Sequence, residues 1–389
     1  MSKAPLFLFL CGMFGLLPGC VERFYPDETD LRTGLLVINA HITNEPGIQH
    51  IEISRSTTLD FSAFEPEAGC YASLIRADGE SRDFFQSEPG YYSCDLDADF
   101  LQLGASYQVQ VLTADASEYH SEFDKLRPAP EIDSIYYELE EESYASASET
   151  VEGIRFYIDF TYDDEAFEYI RWELTETYEF HNPYIERVWK IHSRWYREEI
   201  FADERYRVCY ITHPLSEIHT MSMQYLDQGS YIKKPFSFVP NIQNEQKLHH
   251  KYSLLVKQYS MGAEAFHYWN ELKKTSQEQG FLFDSQPALL ESNICNVNDE
   301  TERVLGFFSM ESVKTIRGIT GDLSQLDQTP NKYYCMPIDR GPGSNVPTSY
   351  PAFLARATYD GVSVTSLVNE HCIDCRAYKG STHIKPDYW

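Results

Sequence analysis

The sequence predicts a mainly β protein with two consecutive β-sandwich domains and one amphipathic helix in the second. Aromatic residues make up 14% of the chain, including 28 tyrosines and 23 phenylalanines, and both residue types favour strands. Short segments that alternate apolar and polar residues recur between turn sequences, as is typical of antiparallel sheets. A single segment has the spacing of a helix that packs on a sheet.

The first domain is predicted over residues 35–127. LLVINAHIT is followed by the turn sequence NEPG and then by IQHIEISRS, which alternates with period two. Strand patterns continue in CYASLIRADG, GYYSCDL and SYQVQVL. Short strands at this spacing predict an Ig-like or transthyretin-like sandwich.

The second domain is predicted over residues 128–389, after the sequence PAP at 128–130 breaks the strand pattern. Strand patterns resume in IRFYIDF, YIRWELTETYEF and HKYSLLVKQYS. The helix is predicted directly after the last of these, over residues 262–279. Ser260 is placed to cap it and Gly280 to terminate it. Its apolar stripe indicates packing against a sheet.

The N-terminus has the anatomy of a lipoprotein signal peptide over residues 1–19. Lys3 precedes an apolar run that is too short to span a bilayer. The sequence LPGC, which ends at Cys20, resembles a bacterial lipobox. It predicts cleavage before Cys20, acylation of its thiol, and a tether over residues 20–34. An ordinary secretory signal is the alternative interpretation.

The charge balance narrows the range of partners. The chain has 60 acidic and 32 basic residues, for a net charge of −28, so nucleic acid and anionic headgroups would be repelled. We therefore expect no nucleic-acid partner, and contact with the bilayer only through acyl chains. Basic residues concentrate between residues 187 and 207. They predict either cross-strand pairs with carboxylates or a patch that steers an anionic partner.

The sequence contains no recognisable catalytic motif. It lacks a phosphate loop, a dinucleotide fingerprint, a G-x-S-x-G elbow and H-E-x-x-H. His213 and His219 are six residues apart, which suits neither one helix face nor a tight metal loop. His249 and His250 would face opposite sides of a strand, so they cannot chelate together from regular β structure. We therefore predict a non-enzymatic protein without a cofactor or metal.

The cysteines predict disulfides because an exported protein meets an oxidising compartment. Cys70 and Cys94 flank a turn region in the first domain and are predicted to join neighbouring strands. Closing that loop would contribute roughly 3 kcal/mol. Five further cysteines leave one thiol unpaired: Cys209, Cys295, Cys335, Cys372 and Cys375.

The terminal sequence HCIDC contains a C-x-x-C motif formed by Cys372 and Cys375. Structural disulfides are the favoured interpretation in an oxidising compartment. A zinc site would need two more ligands, for which Cys335, His371 and His383 are candidates. A redox pair would need to lie at a helix N-terminus in a thioredoxin-like unit, in which strands and helices alternate. No such alternation precedes the C-x-x-C motif.

Several segments together resemble a known family. They are the lipobox, LLVINAHITNEPG, RVCYITH, YSLLVKQYSMGAEAFHYWNELKKTSQEQGFLFDSQP, VLGFFS and CIDCRAYKGSTHIKPDYW. Over essentially the whole mature chain, the sequence resembles the Bacteroidota lipoprotein family called domain of unknown function 4249. The resemblance implies two disulfides among Cys209, Cys335, Cys372 and Cys375, with Cys295 as the free thiol. The family has no assigned reaction.

The resemblance also implies a role, because members tend to accompany TonB-dependent outer-membrane transporters. It implies a lipid-anchored accessory subunit of such a transporter, or of another outer-membrane β-barrel complex. Acidic residues after the lipid cysteine favour surface display in that phylum. Glu22 follows Cys20 promptly and Asp27 and Glu28 come later, so the cell surface is favoured over the periplasmic face. The alternative is a free-standing surface module that binds a glycan or peptide on exposed aromatics.

Overall fold

Strands dominate the computed structural model of the chain, with 58% of the described residues in strands and 8% in helices. This confirms the predicted mainly β class. Cys20, Cys335 and the predicted signal peptide lie outside the described residues. The structure describes residues 34–57, 64–143, 150–162, 168–182, 185–200, 203–224, 229–242, 246–277, 290–326, 347, 349–359 and 362–389.

The first lobe is built mainly from the N-terminal third of the chain. Its strands in this third are β1 (Leu36–Thr43), β2 (Gly47–Arg55), β3 (Glu65–Pro66), β4 (Tyr71–Arg76), β5 (Ser81–Glu88), β6 (Tyr91–Leu96), β7 (Ser106–Leu112), β8 (Glu118–Ser121) and β9 (Asp124–Lys125). Neighbouring strands pair in the order β8-β7-β4-β5-β6-β2-β1.

Alternating burial explains why these residues form strands around one core. In β1, Leu36, Ile38, Ala40 and Ile42 are buried, whereas the residues between them are partly exposed. Side chains of successive strand residues point to opposite faces, so this pattern places one face in the core. The hydrophobic effect of that burial is the main favourable contribution to folding of the lobe.

The second lobe and the joint between the lobes come from the rest of the chain. The elements are β10 (Glu131–Ser143), β11 (Thr150–Tyr162), β12 (Tyr169–His181), β13 (Arg187–Ser193), β14 (Tyr196–Ile200), β15 (Val208–Pro214), β16 (His219–Ser222), β17 (Gly229–Pro240), β18 (Tyr252–Met261), α1 (Ala263–Gln277), β19 (Ile294–Asn296), β20 (Leu305–Ile319), β21 (Ala352–Tyr359), β22 (Val362–Val368) and β23 (Ser381–Thr382).

Two sheets enclose the core of the second lobe. One sheet has the order β10-β11-β17, and the other contains β20-β18-β12-β15-β23. Phe160 of β11 and Trp172 of β12 belong to the core cluster between them, and their rings lie 6.0 Å apart. A smaller four-stranded sheet, β14-β13-β21-β22, has its own apolar cluster around Val188 and Phe353.

Strand β20 joins the two lobes. Its first half pairs in parallel with β1, from Leu305 to Glu311, and its second half pairs antiparallel with β18, from Ser312 to Ile319. One hydrogen-bonded sheet therefore passes from the first lobe into the second. Strand β19 also pairs with β8, and the first core includes Ile294 and Phe308. The first lobe therefore contains β19 and the first half of β20 in addition to the strands of residues 35–127.

Helix α1 agrees closely with its predicted range of 262–279. Ala265 is buried against Met261 and Phe307, and Trp269 packs beside them, so the apolar stripe does face the sheet. The predicted cap is wrong, because Ser260 lies within β18 and its hydroxyl donates to the Arg127 carbonyl oxygen (3.2 Å). Gly280 lies outside the described residues. No helix in the described ranges is both long and apolar enough to cross a membrane.

Candidate functional site

The C-terminal segment is tied to the second lobe by a disulfide. Cys209 of β15 bonds to Cys375, which is 166 residues away in the sequence. Cys372 is also disulfide-bonded, and Cys335 lies outside the described residues. The two cysteines of the C-x-x-C motif are therefore not bonded to each other. Of the three interpretations, this arrangement is that of structural disulfides.

The predicted disulfide between Cys70 and Cys94 is not formed, because both are free thiols. Cys70 immediately precedes β4 and Cys94 lies in β6. Strand β5 separates these strands, pairing with β4 through its first half and with β6 through its second. The cysteines are thus not on neighbouring strands, and burial raises the pKa of both thiols. Cys295 is a free and exposed thiol in β19.

The last two residues of the chain dock on the outer face of β12. The indole N–H of Trp389 donates to Glu179 Oε2 (2.7 Å), and its ring meets the ring of Tyr210 edge-on at 5.5 Å. The Tyr388 and Thr177 hydroxyls are hydrogen-bonded at 2.9 Å. Because successive residues of β12 alternate between faces, Thr177 and Glu179 lie on the same face. The C-terminus is thereby held in place by polar and aromatic contacts.

Next to this tail lies a cluster of a carboxylate and two imidazoles, here called the Glu179 cluster: Glu179, His181 and His250. The ligand-type atoms of the three side chains all lie within 4.8 Å of one another. His181 Nε2 is 2.6 Å from Glu179 Oε1, and the two imidazole rings stack with centroids 3.6 Å apart. Burial and the nearby charge of His181 lower the pKa of His250 to about 4.

The carboxylate of the Glu179 cluster is stabilised in its charged form. Burial alone would raise the pKa of Glu179, but hydrogen bonds from His181 and Trp389 outweigh it and lower that pKa. Hydrogen bonds to the charged form of an acid favour that form. The cluster therefore presents a negatively charged oxygen beside two imidazoles.

Sequence reasoning missed the Glu179 cluster for an identifiable reason. His249 and His250 were treated as strand residues, but they lie in the turn before β18. From there the ring of His250 reaches His181, which is 69 positions earlier in the sequence. The spacing of Glu179 and His181, two residues apart on one strand, was the available signal, since it places both on one face.

A second carboxylate on β12, Glu176, points into the core and is fully paired. It accepts hydrogen bonds from Lys247 Nζ (2.8 Å) and the Tyr252 hydroxyl (2.7 Å), and His213 Nε2 lies 2.6 Å away. Burial and the charge of Glu176 raise the pKa of Tyr252 well above its usual value. A buried carboxylate with this many partners stabilises the fold. His213 therefore belongs to a structural pair.

A cleft of about 660 Å³ opens beside helix α1. Burial and the charges of Glu122 and Asp124 raise the pKa of Glu264 within it. The cleft favours a cationic ligand, because several carboxylates and two aromatic rings converge there. We call it the acidic cleft; among the residues that line it are Glu122, Glu264, His267, Tyr268, Glu271 and Phe307.

A hairpin of β13 and β14 projects from the small sheet, and we call residues 187–200 the Trp195 hairpin. Trp195 at its turn is 87% exposed, and Tyr196 beside it is also exposed. The guanidinium of Arg194 lies over the Trp195 ring, 5.3 Å from its centroid. At the base, β13 pairs with β21 and Val188 is fully buried. The hairpin therefore presents an aromatic and basic tip on an anchored base.

Two arginines between residues 187 and 207 pair with carboxylates, and Arg187 does so across strands, as one of the two interpretations predicted. Arg187 lies 3.9 Å from Glu199 across the hairpin, and Arg205 lies 2.6 Å from Asp203. The Arg205 contacts lower the pKa of Asp203 to about 2. These exposed pairs contribute little to stability. The sequence signal for the hairpin was the combination WYR in a basic stretch of an acidic chain.

Comparison with known proteins gives a family but no named function. The model of the family described as "Domain of unknown function (DUF4249)" matches residues 21–317. No curated protein matches the sequence.

The solved structures that are similar to the chain include the following three, all at low sequence identity. A DUF4785 family protein from Legionella pneumophila is 11% identical, with 57% of this chain and 51% of that chain covered and a TM-score of 0.18. The BSP domain of a biofilm-associated protein is 10% identical, with 78% and 62% covered and a TM-score of 0.12. The collagen-binding domain of the surface protein RspB from Erysipelothrix rhusiopathiae is 9% identical, with 75% and 96% covered and a TM-score of 0.09. At these TM-scores, none of the three carries an argument about function.

Proposed function

The chain belongs to the family of the domain of unknown function 4249, and from this premise we propose that it is a non-enzymatic lipoprotein of the outer membrane. Acyl chains on Cys20 would anchor it, with the body at the cell surface. There it would act as an accessory subunit of a TonB-dependent transporter or another β-barrel complex. The observation that carries the proposal is the exposed tip of the Trp195 hairpin.

The chemistry of the tip supports a protein partner. Trp, Tyr and Arg are the residue types most enriched among those that dominate binding energy at protein interfaces. The hairpin offers all three at adjacent positions, Arg194, Trp195 and Tyr196. An exposed tryptophan of this size leaves a large apolar area in water, and burying it against a partner would be favourable.

The edge of the hairpin supports the same proposal. Among the described residues, strand β14 is at the end of the four-stranded sheet and pairs only with β13. Four of its five residues are exposed. An exposed edge strand presents unpaired N–H and C=O groups that can accept a strand from another protein. Loops and short strands of a barrel's outer rim would supply such a segment.

The test is co-purification from native membranes in mild detergent. We expect a β-barrel protein to co-purify with the wild-type chain, and Trp195→Ala to weaken the complex about 30-fold, since truncating a dominant interface residue costs about 2 kcal/mol or more. Phe85→Ala is the matched control, because Phe85 is similarly exposed but lies in the first lobe. Absence of a barrel partner from the wild-type preparation would contradict the proposal.

The acidic cleft supports the second candidate, a free-standing module that binds a peptide or glycan. Its carboxylates favour a peptide with lysine or arginine over a neutral glycan. Under this alternative, the isolated chain would bind a lysine-rich peptide, and Glu264→Gln would weaken binding whereas Trp195→Ala would not. Under the transporter proposal, Trp195→Ala would weaken the association with the barrel and Glu264→Gln would leave it unchanged.

A further inference from the structure

We propose that Glu179, His181 and His250 bind a divalent transition-metal ion of the Zn²⁺ type. One carboxylate oxygen and two imidazole nitrogens already converge within 4.8 Å. This donor set suits Zn²⁺, Cu²⁺ and Ni²⁺, whereas Ca²⁺ and Mg²⁺ prefer oxygen donors alone. Three protein ligands leave a fourth tetrahedral position for water.

The fold holds the three ligands together from two separate segments. Glu179 and His181 project from the same face of β12, two residues apart. His250 comes from the turn that precedes β18, and the backbone N–H of Glu179 donates to the carbonyl oxygen of Lys251 (3.0 Å). This backbone contact fixes His250 beside the strand. The arrangement therefore belongs to the folded chain and not to one flexible loop.

Only a small rearrangement would be needed for coordination. In a tetrahedral site with bonds of 2.0–2.1 Å, neighbouring ligand atoms are about 3.3 Å apart. The His181 Nε2 to Glu179 Oε1 distance is 2.6 Å, so these atoms would separate by less than an ångström. The stacked rings of His181 and His250 would tilt apart to direct their nitrogens at the ion.

The surroundings orient the carboxylate as they do at known metal sites. Trp389 donates its indole N–H to Glu179 Oε2 (2.7 Å), which leaves Oε1 to face the imidazoles. Hydrogen bonds from outside the ligand set commonly orient metal ligands in this way. Because Trp389 hydrogen-bonds the same carboxylate, metal binding would also stabilise the docking of the segment that carries it.

A neighbouring carboxylate shows why Glu179 and not Glu176 is the ligand. Glu176 is neutralised by Lys247 at 2.8 Å and shares one imidazole, His213. Within the described part of the chain, Glu179 forms no ion pair with a lysine or arginine. Because the partners of Glu179 are an imidazole and an indole and the chain has a net charge of −28, this carboxylate is available to a metal ion.

The experiment uses the full mature protein in detergent, stripped with a chelator and carrying Cys295→Ser, because an exposed thiol also binds zinc. Calorimetric titration with ZnCl₂ should show one tight site per chain. His181→Ala and His250→Ala should each weaken it at least about 100-fold, and Trp389→Phe about 10-fold as a positioning residue. His213→Ala is the matched control and should bind as wild type.

A second measurement avoids dependence on the folding of the variants. Titration with CoCl₂ should produce the visible absorption of tetrahedral Co²⁺ and quench the fluorescence of Trp389, and Trp389→Phe should lose that quenching component. Stoichiometric binding, both signals and an unaffected His213 variant would support the site. No tight binding by the stripped wild-type chain would overturn it. Wild-type affinity in the His181 and His250 variants would overturn it as well.

Discussion

Arg171 is the residue at the centre of the contacts between the lobes. Its side chain is 4% exposed and pairs with Glu311 (2.7 Å), which is completely buried. Its guanidinium lies between the rings of Tyr259 and Trp269, at 4.2 and 4.3 Å from their centroids. Burial opposes its charge, but the charges of Glu311 and Glu173 outweigh this and raise the pKa of Arg171. The Arg171 guanidinium therefore stays charged at any ordinary pH.

Loss of this arginine should be costly. We expect Arg171→Met to lower the free energy of unfolding by about 3–5 kcal/mol, because Glu311 would remain buried and unpaired. Urea unfolding followed by tryptophan fluorescence measures the change. Arg205→Met is the control, since Arg205 pairs with Asp203 at the surface and is 78% exposed, and it should lower the free energy of unfolding far less than Arg171→Met does. If both variants lost the same free energy of unfolding, the pair of Arg171 with the buried Glu311 would have no special importance for stability.

At the scale of elements, the C-terminal segment depends on the rest of the second lobe. Its only strand is β23, a two-residue strand that pairs with β15. Other contacts are between side chains: the Arg376 guanidinium lies 3.3 Å from the centroid of the Tyr206 ring, and Tyr388 lies under Arg317. So short an element has too few backbone hydrogen bonds to be stable alone. The Cys209–Cys375 disulfide therefore has a structural purpose.

Removal of that disulfide should release the segment before the rest of the lobe unfolds. We expect the double variant Cys209→Ser, Cys375→Ser to lose about 2–5 kcal/mol of stability, because a long loop is no longer closed in the unfolded chain. Hydrogen exchange of residues 370–389 should accelerate first. Cys295→Ser should leave exchange unchanged, since this thiol is free. Unchanged protection of the segment in the double variant would argue against the disulfide as its fastening.

At the scale of the whole molecule, the parallel pairing of β1 with β20 holds the lobes in one sheet. Gly306 of β20 is opposite Ile38 of β1 and has a φ of +87°. A Cβ atom at Gly306 would lie 2.1 Å from the Ile38 carbonyl oxygen. Only glycine combines this backbone conformation with so close an approach. The joint therefore depends on the absence of a side chain at this position.

Gly306→Ala tests whether the joint needs a residue without a side chain at this position. Gly104→Ala is the comparison, because Gly104 has a similar backbone conformation. Gly104 has a φ of +85° and no neighbouring atom where its Cβ would be, so Gly104→Ala should cost only the backbone strain, about 1–2 kcal/mol. Gly306→Ala should cost clearly more and should increase hydrogen exchange in β1 and β20. Equal destabilisation of the two variants would mean that the close contact has no energetic importance.

Much of the local structure was predictable because it follows from residue type and spacing. Alternation in LLVINAHIT sets the buried face of β1, and helix α1 was placed within two residues at each end. The errors concern partners across the sequence. Cys70 and Cys94 were paired without knowing that β5 lies between their strands, and His250 was assigned to a strand that begins after it. The acidic cleft had no sequence signal, because it combines Glu122 with a helix more than 140 residues later.

The sequence by itself determined the mainly β class, the faces of the strands and helix α1, since these depend on the period of apolar residues over a few positions. Only the tertiary structure decided that β1 pairs with β20, that Cys209 bonds to Cys375, and that His250 joins Glu179. A period of two specifies which side of a strand is buried but not which strand lies beside it. Partners distant in sequence are selected by the packing of the complete chain, so the candidate sites became visible only in the fold.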